Sequence, residues 1–192
     1  LLLGVVLFGG GLSYLAQFAG VESWMSATGE AVFQKHEYWR AWTTLFAHGD
    51  HSHLLSNAML FLPLTYLLTG YFSLWFFPVL ALILGGVINL IVLETLPPNV
   101  TLLGISGVVY WMGASWLTLY ILIERRTSLR KKFAIALFLS LMVFIPETYK
   151  PEVSYLSHFV GWVFGILSDL GYYLIHRKTF QKAEVFTELP AD

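Results

Sequence analysis

Residues 104–123 read GISGVVYWMGASWLTLYILI, and this stretch decides the fold class. It is twenty residues long and contains no Asp, Glu, Lys or Arg. That is about the length an α-helix needs to cross the ~30 Å hydrocarbon core of a bilayer. A backbone in that medium must satisfy its own polar groups, so the run is read as a spanning helix. Five comparable apolar stretches lie around it, at 1–20, 53–68, 71–93, 133–145 and 155–175. The stretch 133–145 is short, but Arg130, Lys131 and Lys132 can snorkel and extend it. Residues 1–20 lack the basic leader of a signal peptide and read as a span.

Composition agrees. Of 192 residues, 57% are hydrophobic and only 12% charged, against about 25% charged in soluble domains. An ordinary soluble enzyme and a disordered chain are both excluded. Net charge is −1, which offers nothing to a nucleic acid. The absence of cysteine removes disulfides, iron–sulfur clusters and thiol catalysis. The expectation is an all-α membrane protein with six transmembrane helices in one domain, 1–178, followed by a polar tail, 179–192.

Basic residues orient the bundle. Arg125, Arg126, Arg130, Lys131 and Lys132 lie between spans four and five, and Arg177, Lys178 and Lys182 follow span six. Lys35, Arg40 and Lys150 are the only ones expected on the other face. The positive-inside rule makes the richer face cytoplasmic. Both termini are then cytoplasmic, and loops 21–52, 94–103 and 146–154 face outward.

Polar groups inside a bilayer are costly and point to function. Three clusters occur. The first is Trp39-Arg40, then His48-Gly49-Asp50-His51-Ser52-His53, with Asn57 one helical turn beyond His53. It reads as an interfacial loop capping a helix, as a metal site, or as a pair of donors for an oxyanion. No HExxH pattern supports a zinc protease. The second is Gly104-Ile105-Ser106-Gly107, opening span four after Pro97-Pro98. Small residues suit a helix crossing. A serine in a first turn also lies beside unpaired backbone N–H groups at the positive end of the helix dipole. Tyr110 and Gly113 share its face. The third is Ser157-His158 with Gly161 and Gly165, a small-residue stripe early in span six with a histidine beside it.

On this topology Ser106, His158, His53 and Asn57 all lie near the outer ends of their spans. A nucleophile, a base and donors at one depth form an acyl-transfer constellation. Asp169 is about 16 Å further along span six at 1.5 Å per residue, too far to orient His158. A Ser–His dyad is therefore implied. An aspartyl intramembrane protease would need two facing acids, and Asp169 is the only central one.

These residues resemble the rhomboid intramembrane serine proteases, in their minimal six-span bacterial form. The matching features are Trp39-Arg40, His48, His53 with Asn57, Gly104-x-Ser106-Gly107, Tyr110, and His158 with Gly161 and Gly165, in that order. The resemblance implies a six-helix rhomboid-like bundle with Ser106 as nucleophile and His158 as general base. It implies that Tyr110 packs on the His158 ring, and that His53, Asn57 and the Ser106 N–H hold the oxyanion. Gly104 and Gly107 would let the substrate approach, and His48 and Arg40 would build the first loop. It further implies transmembrane protein substrates entering between spans two and five, a capping loop at 146–154, no metal or organic cofactor, and a bacterial plasma-membrane location. Many bacterial relatives carry an acidic–basic pair near the start of span three. Gly70-Tyr71-Phe72-Ser73 has none, and Asp50 and His51 have no assigned role. Two competing readings remain: a catalytically silent rhomboid-like protein that binds membrane clients, and a metal-binding channel or transporter built on His48, Asp50, His51 and His53.

Overall fold

The computed structural model describes residues 22–144 and 154–183. The expected first span, almost all of the loop 146–154 and the end of the tail lie outside them. The described elements run α1 (Glu22–Met25), β1 (Ala27–Thr28), a wide turn (Glu30–Gln34), α2 (Arg40–Thr43) and a tight turn (Thr44–Phe46). Next come α3 (His51–Thr69), a second wide turn (Trp75–Leu80), α4 (Ala81–Thr95) and β2 (Thr101–Leu102). The chain closes with α5 (Ser106–Ile123), α6 (Leu129–Phe144) and α7 (Tyr155–Ala183). Helices α3 to α7 correspond to expected spans two to six. Three helical stretches among the described residues are long and apolar enough to cross a membrane: Trp75–Thr95, Ser106–Ile123 and Tyr155–Lys182. Helix α3 is long enough but carries His51, His53 and Asn57 in its first two turns, and α6 has 16 residues.

Four boundaries differ from expectation, each for a local reason. Helix α3 begins at His51 rather than 53, because Asp50 caps it: its Oδ1 accepts the His53 N–H at 2.8 Å. The expected span at 71–93 becomes regular only from Ala81. Pro78 has no N–H to donate and forces Phe77 into an extended conformation (φ −134°, ψ 123°). Helix α6 starts at Leu129, and Lys132, expected to snorkel, is buried instead. Its Nζ donates to Ile121 O and, at 2.9 Å, to Glu124 O. These are carbonyls that the end of α5 leaves unpaired. Helix α7 runs on to Ala183, about 43 Å at 1.5 Å per residue, so its basic last turns extend past a ~30 Å core.

A small antiparallel ladder, Ala27 with Leu102 and Thr28 with Thr101, joins the first loop to the segment before α5. Glu30 N–H donates to Pro98 O at 2.9 Å beside it. The first loop is further held by Arg40 Nη1–H to Ser26 O and Thr43 Oγ1–H to Met25 O. Asn89 Nδ2–H of α4 donates to Ala41 O at 2.8 Å. At the opposite end, Phe72 stacks on Phe76 and meets the edge of Tyr172, whose hydroxyl accepts the Ser73 N–H at 3.2 Å. Aromatic packing thus closes the segment that lacks the acidic–basic pair.

The core is a parallel seam between α5 and α7. A Cβ on Gly161 would lie 2.1 Å from Gly107 O, and one on Gly165 2.4 Å from Trp111 O. Trp111 is fully buried, and its Nε1–H donates to Ser168 Oγ at 3.0 Å. The backbones touch because no side chain separates them.

Gly161→Ala must therefore push two backbones apart, at a cost of about 1–3 kcal/mol or more. Gly171, with nothing within 4 Å of its Cβ position, is the control. Unfolding in detergent should show Gly161→Ala clearly destabilised and Gly171→Ala unchanged or slightly stabilised. Equal stability of the two variants contradicts the seam.

Candidate active site

The site is assembled at the start of α5. Gly104 has φ +96°, a region that side chains rarely adopt. A Cβ there would also lie 2.8 Å from the His53 ring and 3.4 Å from Asn57 Nδ2. Glycine is required by both conformation and space. The chain turns at this point, and Ser106, half-buried, becomes the first residue of α5. The Val108 and Val109 N–H groups donate to Ile105 O, whereas those of Ser106 and Gly107, ahead of them, have no carbonyl within the helix to meet.

Helix α7 supplies the second wall. A Cβ on Gly107, next to Ser106, would meet Ser157 Oγ at 2.7 Å. His158 follows Ser157 and is 2% exposed. Its ring lies parallel to that of Tyr110, one turn below Ser106, with centroids 3.9 Å apart and 11° between planes. Tyr110 in turn meets the edge of Trp162. The imidazole thus stacks by one face on Tyr110, which limits its plane.

Helix α3 supplies the third wall. His53 and Asn57 share one of its faces and lie against Gly104. Asn57 is buried, and its Nδ2 has no hydrogen-bond partner among the described residues. His48, 6% exposed, sets its ring edge-on to His53 at 5.1 Å. Burial first, and His53 second, push the His48 imidazole down from 6.5 to about 4. The structure therefore brings Gly104, Ser106, Gly107 and Tyr110 of one strand-to-helix turn together with His53, Asn57 and His48 on one side and His158 and Gly161 on the other.

Two residues without an expected role gain one. Asp50 caps α3 directly beneath His53; the Asp-x-x-His spacing before an apolar run is a readable capping signal. Thr44 reaches the segment before Ser106 from 58 residues away, and no local signal announces it. His51 is exposed at the helix start. Trp39 is 53% exposed on the first loop. Asp169 is fully enclosed, and neither of its oxygens has a hydrogen-bond partner among the described residues. It lies about three turns from His158 on the same helix, beyond contact range along that helix. Among the described residues no group of three His, Asp or Glu converges where a metal ion would sit.

One turn deeper than Ser106 lies a partly open, almost wholly apolar cavity of about 220 Å³. Leu60 and Leu64 of α3, Tyr110 and Gly113 of α5, Met142 of α6 and Trp162 of α7 line it, with other apolar residues.

A family model described as Rhomboid domain matches residues 35–177, which contain every residue of the site. No curated protein and no solved structure matches the chain.

The His48 environment gives a pH dependence with a defined sign. Unfolded, His48 takes a proton below 6.5, whereas folded it stays neutral to about 4. Its contribution to stability is complete above 6.5 and falls as pH drops from 6.5 toward 4. The melting temperature in detergent should decline across that window, with a shallower decline in His48→Asn. A melting temperature flat between pH 7 and 4.5 contradicts this burial.

Proposed function

The chain belongs to the rhomboid family of intramembrane proteases, and on that premise we propose that it is a serine endopeptidase cleaving transmembrane segments near the outer membrane boundary. Ser106 attacks the scissile carbonyl, and His158 accepts its proton as general base. His158 then delivers that proton to the leaving amine, and water hydrolyses the acyl-enzyme. The tetrahedral oxyanion is held by His53, Asn57 and the Ser106 N–H. Tyr110, stacked on His158, limits its ring to one plane. No acid joins the dyad in this reading, and no metal or organic cofactor is needed.

The observation that carries the proposal is the Asn57 amide. A buried donor without an acceptor costs roughly 1–3 kcal/mol, and this one lies beside Gly104, two residues from the serine. That expense is understandable if the acceptor arrives only during reaction. It also speaks against the alternative, a catalytically silent client-binding protein, which has no use for an oxyanion donor.

The substrates proposed are membrane proteins. The apolar cavity between α3 and α6 supports entry of a transmembrane segment between spans two and five. Small or helix-breaking residues at the cleavage site would expose a peptide bond that a helix otherwise shields. The topology proposed is six spans with both termini cytoplasmic, in a bacterial plasma membrane.

The test uses purified protein in liposomes with a reporter whose single transmembrane segment carries Ala and Gly in its outer third. Wild type should cleave it. Ser106→Ala and His158→Ala should leave it intact while melting like wild type. Asn57→Ala should lower kcat on the order of 10²-fold with little change in KM. Cleavage by a clean Ser106→Ala preparation would sink the assignment.

A further inference from the structure

We propose that Thr44 is a positioning residue for the reaction: it straps the segment that presents Ser106 to the loop that leads into His48 and His53. The proposal rests on the serine-protease reading above.

Segment 101–105 is the only stretch between the preceding loop and the nucleophile helix, and it must set Ser106 against two other helices. Thr44 ties it twice. The Thr44 hydroxyl donates to Leu102 O, and Thr44 O accepts the Gly104 N–H at 3.0 Å. Thr44 is 0% exposed and Leu102 6%, so water replaces neither bond. Removing the hydroxyl takes a buried hydrogen bond from the Leu102 carbonyl, two residues before Gly104. Gly104 itself has no slack, since even a Cβ there would lie 2.8 Å from the His53 ring.

The same residue leads along the chain to the other half of the site. Thr44 opens the turn Thr44–Phe46, after which come Ala47 and His48, the latter packed on His53. One buried residue, through its hydroxyl to Leu102 O and its main-chain carbonyl to the Gly104 N–H, therefore ties the serine's turn to the loop feeding the oxyanion donors. A misplacement on the order of 1 Å in such a site can cost 10²-fold in rate.

The experiment compares wild type, Thr44→Val and Thr44→Ser in the reporter assay, with the rate of Ser106 modification by a fluorophosphonate as a second readout. Val keeps the branched shape without the donor; Ser keeps the donor without the methyl. Thr44→Val should lose about 10- to 100-fold in kcat and in probe reactivity, with KM within about threefold, and Thr44→Ser should stay within about threefold of wild type. Unchanged kcat in Thr44→Val, or failure of Thr44→Ser to retain activity, overturns the proposal. If Thr44→Val does not fold, amide exchange in wild type decides: the Gly104 N–H should be protected about 100-fold or more. Exchange of that amide at the unprotected rate overturns the strap. A wild type inert to both reporter and probe is a different failure, that of the protease reading itself.

Discussion

Two backbones in contact set the geometry on which the rest of the molecule depends. Gly161 lies against the carbonyl of Gly107, and Gly165 against that of Trp111, with no side chain between them. In a membrane, apolar side chains gain little by leaving lipid for one another, so helices associate through close packing and shared polar contacts. The seam has both: glycine contacts along its length, and the bonds from Trp111 to Ser168 and from Ser115 Oγ–H to Gly165 O. Parallel helices in this register put the start of α5 beside the start of α7. The Tyr110–His158 stack follows from that register, and so does the proximity of Ser157 to Gly107.

The third wall is held differently. Helix α3 meets the turn at Gly104 through side chains rather than backbone. Its position depends on a cap at Asp50, on the packing of His48 against His53, and on the first loop, which Arg40, Thr43, Thr44 and Asn89 tie down. A rigid two-helix seam and a loop-braced third helix divide the site. The first sets the serine turn against His158, and the second sets His53 and Asn57 against that turn. The apolar cavity lies on the loosely packed side, between α3 and α6, where many residues of α6 face outward.

Much of this was legible as exceptions within apolar runs. Ser106, His158, His53 and Asn57 stand out because a bilayer penalises them, and Gly161 and Gly165 because their spacing is that of a contact stripe. The helix identities of α3 to α7 followed from run length. What escaped reading depended on contacts distant in sequence or on local backbone chemistry. Thr44 acts through a partner 58 residues away. Lys132 reads as a snorkelling residue until α6 is folded against the end of α5, whose carbonyls then capture it. Pro78 delays regular helix in α4 although hydropathy runs smoothly through it. Asp50 lies in a segment that reads as an interfacial loop capping a helix, and its spacing to His53 is that of the cap it forms.

The central claim is that Ser106 is activated by His158. The direct measurement is reaction of the folded protein with a fluorophosphonate in mild detergent, with the modified residue located by mass spectrometry. The account predicts an adduct on Ser106 in wild type and none in a His158→Ala variant that melts normally. A well-folded wild type that fails to react, or a His158→Ala variant that reacts at the wild-type rate, contradicts it.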